Sequence, residues 1–393
     1  MHKFRVFINS FGKDNLLSNK QIFKSIITIA IIFLSSCSQP KENYDPSTDL
    51  LRFKGEVHLR NIKQLTFGGN NAEAYWSFDD KQLVFQSDWD KLNDHGCDQI
   101  FLMNVDGSQL VQNETYRLIS TGKGRTTCSY FLKDGRIIFA STHAQSEECP
   151  EQVMFTGGRY VWPIYKSYDI YITDSTASTT ELFIGGEGYD AEPTASPDGK
   201  YIVFTSTRSG DLELWRYEIE TAALLQLTNT LGYDGGAFFS RDSRSIVWRA
   251  SRPVGEEANE YKALLSEGLV EPKAMSIYIA DIEGNNVRKV TELPGANWAP
   301  FFHTSGNKII FSSNHHSIGE GGRLFDLFLI NLDGTGLEQI THSGTFDAFP
   351  MFSFDGSKIV FASNRRVDRS SSRETNIFVA DWVENPTDED NNF

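Results

Sequence analysis

Past its first 36 residues the chain has no apolar run long enough to cross a bilayer. It has no Gly-x-Ser-x-Gly elbow, which excludes a serine-hydrolase domain of that type. It has no Walker loop, dinucleotide fingerprint or His-Glu-x-x-His pair, so no common phosphate, nicotinamide or zinc-protease motif is offered. Asp388-Glu389-Asp390 lies in an acidic tail and does not have the spacing of an EF-hand loop. Basic residues are in deficit, 37 against 52 acids, for a net charge of −15. A surface this acidic repels nucleic acid and anionic lipid. In their place stand 29 Phe, 31 Gly and an aromatic content of 13%. Aromatic runs punctuated by glycine suit an all-β chain with many turns.

Residues 1–36 read as a lipoprotein signal peptide. Lys3, Arg5, Lys13, Lys20 and Lys24 form a basic lead, Ile26 to Leu34 is a short apolar core, and Leu34-Ser35-Ser36-Cys37 has the order of a lipobox. An ordinary secretory signal or a short anchor helix is the alternative. Cleavage before Cys37 would leave its thiol to carry diacylglycerol, with residues 37–55 as lipidated cysteine and polar tether. Cleavage removes five basic residues and one acid, so the mature charge becomes −19. The mature body is then expected to be a soluble monomer that touches membrane only through its lipid. Ser38 is not the aspartate that retains lipoproteins at the inner membrane, which favours the outer membrane of a bacterial envelope. Cys97, Cys128 and Cys149 remain, an odd number for an oxidising compartment. One disulfide and one buried thiol is the simplest count. Cys128 with Cys149 is the preferred pair, because it would staple an insertion described below.

One pattern recurs six times. Its clearest copies are Ala191–Ser206 and Ala348–Ser363. A turn at Asp79-Asp80, Asp134-Gly135, Asp198-Gly199, Asp242-Ser243, Ser305-Gly306 and Asp355-Gly356 is followed each time by an aliphatic-aromatic run such as Ile202-Val203-Phe204. That is a hairpin signature. A third strand follows each hairpin, and a fourth ends in forms such as Leu225-Gln226-Leu227-Thr228 and Glu338-Gln339-Ile340-Thr341. Four short antiparallel strands make a propeller blade. The sixth unit stops after its third strand at Asp381-Trp382, and the missing strand stands at the other end as Glu56–Thr66, closing in the same Gln-Leu-Thr. The expected fold is therefore a six-bladed β-propeller over residues 56–382, its ring closed by the N-terminal strand, with an acidic tail at 383–393. Residues 143–167 and 252–275 are insertions between second and third strands, and Glu256–Glu267 within the latter reads as a short helix.

Ser196-Pro197-Asp198-Gly199-Lys200, Ile202–Arg208 and Phe361-Ala362-Ser363-Asn364-Arg365 resemble the TolB-type family of periplasmic propellers with WD-like repeats. The resemblance covers about residues 56–382. It implies a propeller and, in function, an envelope interaction scaffold. Other related propellers gate prolyl-oligopeptidase-like enzymes, and a more distant group includes metal-dependent oligogalacturonate lyases. Only residues 38–55 precede the propeller, which leaves no room for the separate N-terminal domain of TolB itself.

In a propeller the loops before strand one and after strand two share a face. Asp190, Glu192, Asp234, Asp347 and Trp298 lie at the start of first strands, and Arg208, Arg252 and Arg365 follow second strands. They are the candidate ligand-binding residues. Their recurrence has a second reading, that they tie the blades together. Convergent carboxylates would suit Ca²⁺ or a basic peptide. His143, His315 and His316 are the candidate metal ligands, although adjacent histidines in a strand point to opposite sides. Three functions compete. The first is a lipid-anchored binding scaffold for an envelope protein, peptide or glycan, with no cofactor. The second is a lyase or hydrolase, oligogalacturonate-lyase-like, using a divalent metal in the canal. The third is a structural protein without a ligand. The absence of catalytic motifs favours the first.

Overall fold

The computed structural model describes residues 48–387, apart from 95, 152, 154 and 369–372. The signal segment, Cys37 and His95 lie outside the described residues. Six four-stranded antiparallel sheets account for most of the described chain. Blade three shows the plan: Asp190–Ala195, Tyr201–Ser206, Glu213–Glu218 and Leu224–Gln226, in sequence order from inside to outside. Each hairpin turn is built by side chains. In blade three Ser196 Oγ donates to Asp198 at 2.6 Å and accepts from the amides of Lys200 and Tyr201, while Gly199 takes φ +79°. Serine and aspartate at these offsets fold the turn locally, before any tertiary contact forms.

Blade six takes Asp347–Phe352, Lys358–Ser363 and Asn376–Trp382 from the C-terminal end and Leu59–Gln64 from the N-terminal end. Leu59 pairs with Trp382 and Gln64 with Phe378. The recurring Gln-x-Thr has a physical role. The fourth strands are short and leave a third-strand amide without a ladder partner. The threonine hydroxyl accepts it: Leu214 N to Thr228, Ile277 N to Thr291 and Leu327 N to Thr341, at 2.8–2.9 Å. Thr66 does the same for Ile377 at 2.9 Å, across the join of the ring. Closure leaves no open sheet edge between the first and last blades.

The second strands are buried on both faces, with Phe85, Phe139, Phe204, Trp248, Phe311 and Phe361 fully enclosed at one equivalent position. The described parts of the two insertions touch each other. Trp162–Pro163 of the first pairs antiparallel with Leu269–Val270 of the second. The helix, α1 (Glu256–Ser266), packs Leu264 against Val161 and Leu269. It ends one residue short of the sequence expectation.

Cysteine pairing differs from expectation. Cys97 joins Cys149, with Cα atoms 5.8 Å apart, and Cys128 is buried outside any disulfide. Cys128 sits within the first strand of blade two and faces the ring axis, where it borders the central void.

Candidate functional site: a roofed chamber on the propeller axis

The innermost strand of every blade breaks its register after the second residue. The third residue takes a left-handed backbone: Glu73, Cys128, Glu192, Gly236, Ala299 and Phe349, with φ between +45° and +60°. Five of the six are not glycine, and each such residue costs about 1–2 kcal/mol. The bulges turn these residues inward, and all six border one small void on the axis. Which side chains meet at the centre is thus decided by one position in the repeat.

Above this ring lies a chamber of about 660 Å³, a size suited to a small ligand or a peptide end. The two insertions roof it with Trp162, Pro163, Tyr165 and Lys273. Trp162 reaches blade five, where its ring lies 5.2 Å from that of Trp298. Trp298 stacks on Phe325 at 4.5 Å, and Phe346 and Phe349 continue the aromatic wall over blade six.

The opposite wall is polar. Glu192 accepts from Tyr233 Oη at 2.8 Å, Thr205 Oγ1 at 2.7 Å, the amide of Gly236 at 2.9 Å and the Arg249 guanidinium. Arg249 lies between the rings of Trp162 and Tyr233, 5.4 and 5.3 Å from their centroids. The glycines of blade four make room for this cluster. A Cβ on Gly236 would stand 1.8 Å from Arg249 Nη1, and one on Gly235 would stand 2.4 Å from Glu192 Oε2. Beyond it Asp98 is held by Arg125. Glu73 touches the Cys128 thiol, and burial pushes its carboxyl up to about 7. Burial likewise pushes the Cys128 thiol well above its usual range, so it is not an activated nucleophile.

Of the eight expected ligand-binding residues, Glu192 and Trp298 line the chamber. The other six pair with one another inside their own blades. Arg208 binds Asp190 at 2.8 Å, Arg252 binds Asp234 at 2.7 and 2.9 Å, and Arg365 binds Asp347 at 3.2 Å. Each carboxylate starts a first strand and each arginine follows the second strand by one or two residues, 18 positions on. The four groups Asp190, Asp234, Asp347 and Arg365 have side chains no more than 1% exposed. They hold the blades together, and the ligand-contact expectation is corrected for them.

The three candidate metal ligands stand in two separate blades. His143 lies in blade two, where its Nδ1 is 2.8 Å from Ser141 and its ring packs on Tyr171. His315 and His316 lie in a short 3-10 turn of blade five, bound to Ser313 at 2.9 Å and Asp326 at 3.0 Å. None of the three borders the chamber. Among the described residues no three His, Cys, Asp or Glu are placed so that they could hold one metal ion.

Tyr233, Arg249 and Trp162 were missed from the sequence. Arg249 carried a signal: equivalent positions are Gln86, Ala140, Thr205, Ser312 and Ala362, and its blade alone has Gly-Gly at the bulge.

These features define a six-bladed propeller with a lidded axial chamber. The model of the TolB beta propeller domain matches residues 268–370. An uncharacterized protein of Agrobacterium fabrum is 25% identical over 142 residues, 34% of this chain and 44% of that protein. The Tol-Pal system protein TolB of Francisella tularensis subsp. mediasiatica is 33% identical over 76 residues, 19% of this chain and 18% of that protein. The chain thus spans less than half the length of these curated relatives. Among solved structures, a putative TolB from Agrobacterium tumefaciens superposes with TM-score 0.50 at 16% identity, covering 82% of this chain and 97% of that one. A gluconolactonase from Xanthomonas campestris gives TM-score 0.51 at 14% identity, covering 83% and 90%. At these identities the superpositions speak for fold alone. The chain thus resembles the TolB-like propellers, in sequence over this stretch and in fold over the whole ring.

Proposed function

We propose that the protein is a cell-envelope binding propeller, tethered by lipid on Cys37 and binding a protein, peptide or glycan at its looped face. One observation carries this reading. Two insertions far apart in sequence join above the axis and enclose an aromatic-walled chamber. Such a roof has no role in closing the ring, which the N-terminal strand already does. The TolB relatives, named for the Tol-Pal system, favour a partner in the envelope. Among the described residues no helix is long and apolar enough to cross a membrane, which fits attachment through a lipid. The outer membrane remains the favoured address, on the strength of Ser38.

The test has two parts. Palmitate labelling of the full chain should be lost on Cys37→Ser. Envelope peptides and glycans titrated against the purified mature propeller should bind saturably, and Trp298→Ala should abolish that binding. Turnover of a bound compound would replace the binding role with an enzymatic one.

A further inference from the structure

The chamber holds one acid without a cation of its own. Glu192 is engaged on both oxygens by Arg249, Tyr233, Thr205 and a backbone amide. Asp98 has Arg125. Glu73 has only the Cys128 thiol beside it, and its Oε2 accepts no hydrogen bond. After burial itself, the charges that weigh most on Glu73 are those of Glu192, Arg249 and Asp98, two acids against one base. Arg249 is already committed to Glu192, so their fields largely cancel at Glu73. A buried carboxylate without a counter-ion is costly, and the group answers by holding its proton.

The ring of bulges sets Phe349, from the neighbouring blade six, beside Glu73 at the axis. Phe349 begins the aromatic wall that runs through Phe346 and Phe325 to Trp298. Ring faces attract cations and accept apolar carbon. An anionic ligand at Glu73 would meet that carboxyl beside acids whose arginines are already paired, with Lys273 and Arg323 the further bases of the chamber lining. A neutral one would gain only the wall. A ligand with one positive charge gains both.

Building on the binding role proposed above, we infer that the chamber takes a singly charged organic amine, its ammonium on Glu73 and its apolar body along the wall from Phe349 to Trp298. The shared chemistry covers a free amine or a lysine side chain of a partner.

The probes are phenethylamine, its neutral analogue 2-phenylethanol, the anion 3-phenylpropionate, and the blocked dipeptide Ac-Phe-Lys-NH2. Each is titrated calorimetrically into the mature propeller at pH 8. Phenethylamine or the dipeptide should bind at least tenfold more tightly than 2-phenylethanol, with 3-phenylpropionate weakest. The stronger of the two identifies a free amine or a lysine as the source. Glu73→Gln should remove the preference for charge and leave 2-phenylethanol unchanged. Should that variant fail to fold, the wild type carries the same test. Lowering the pH to 6 should weaken amine binding severalfold as Glu73 takes up its proton, with the alcohol unaffected. Of the groups facing Glu73, Tyr75 and Cys128 are pushed well above this range, Arg249 stays charged, and no described histidine lines the chamber. Asp98, raised by burial but held by Arg125, is controlled by repeating the titration in Asp98→Asn. Equal affinity for amine and alcohol, no amine binding at millimolar concentration, or a preference that survives Glu73→Gln overturns the inference. If envelope peptides or glycans still bind in that case, the binding role stands and only its ligand class falls.

Discussion

Replacing Arg365 with methionine would unlock the ring where its two ends meet. Arg365 is fully buried. Its guanidinium binds Glu56 at 3.0 and 3.1 Å, Asp347 at 3.2 Å and the carbonyl of Leu51 at 3.2 Å. Glu56 precedes the closing N-terminal strand and also accepts the amides of Phe53 and His342. One cation therefore ties the N-terminal segment to blade six. Methionine keeps most of the volume but leaves Glu56 and Asp347 facing each other, beside Asp326, whose carboxyl is raised to about 8 by burial first and then by the charges of Asp347 and Glu56. Two unit charges 4 Å apart interact by about 4 kcal/mol at an effective dielectric of 20, and breaking a buried pair costs about 3–5 kcal/mol. For a domain of this size that corresponds to a melting point lowered by roughly 4–7 °C. The sign of the pH effect follows. The unbalanced carboxylates of the folded variant bind protons more readily than those of the unfolded chain, so its deficit should shrink as pH falls from 8 to 5. Thermal and urea unfolding of both proteins at the two pH values measure this. A loss below about 1 kcal/mol, or a deficit indifferent to pH, would refute the role given to the triad.

Gly236→Ala forces a Cβ into the Arg249 guanidinium and an alanine into a left-handed backbone, so urea unfolding should show a loss of at least about 2 kcal/mol. Glu73→Gln should change stability with the opposite pH trend to the wild type's own. The folded carboxyl sits at about 7 against 4.5 when free, so the wild type loses stability as pH rises from about 4.5 to 7. The variant should gain on it by up to about 3 kcal/mol between pH 4.5 and 8 in denaturant titrations. Alkylation of the unfolded, unreduced protein carrying Cys37→Ser should label one thiol, at Cys128, and peptide mapping should find Cys97 joined to Cys149. Trp162→Ala removes the contact between roof and blade five, and limited proteolysis should then cut the 143–167 and 252–275 insertions first while the ring stays intact.

Blade number, hairpin turns and ring closure were legible in the sequence because each is local or repeated. Ser-x-Asp-Gly folds its own turn, and Gln-x-Thr marks a fourth strand whether it is Gln226-Leu227-Thr228 or Gln64-Leu65-Thr66. The Asp–Arg set recurred for the same reason, and its recurrence left two readings open, ligand contact and blade architecture, between which the buried pairing favours the second. The centre of the propeller was less legible because it is made of differences between repeats. Glu73, Cys128, Glu192, Gly236, Ala299 and Phe349 share one position but not one chemistry, and their meaning comes from which blades stand beside each other. The disulfide and the roof depended on how far loops reach across the ring, a distance no local pattern encodes. Sequence thus determined the repeating frame, through short-range turns and strand periodicity. Tertiary structure alone decided which side chains share the axis, that Arg249 is matched to Glu192, and that Glu73 is left without a cation, because charge balance in a closed ring is settled between blades.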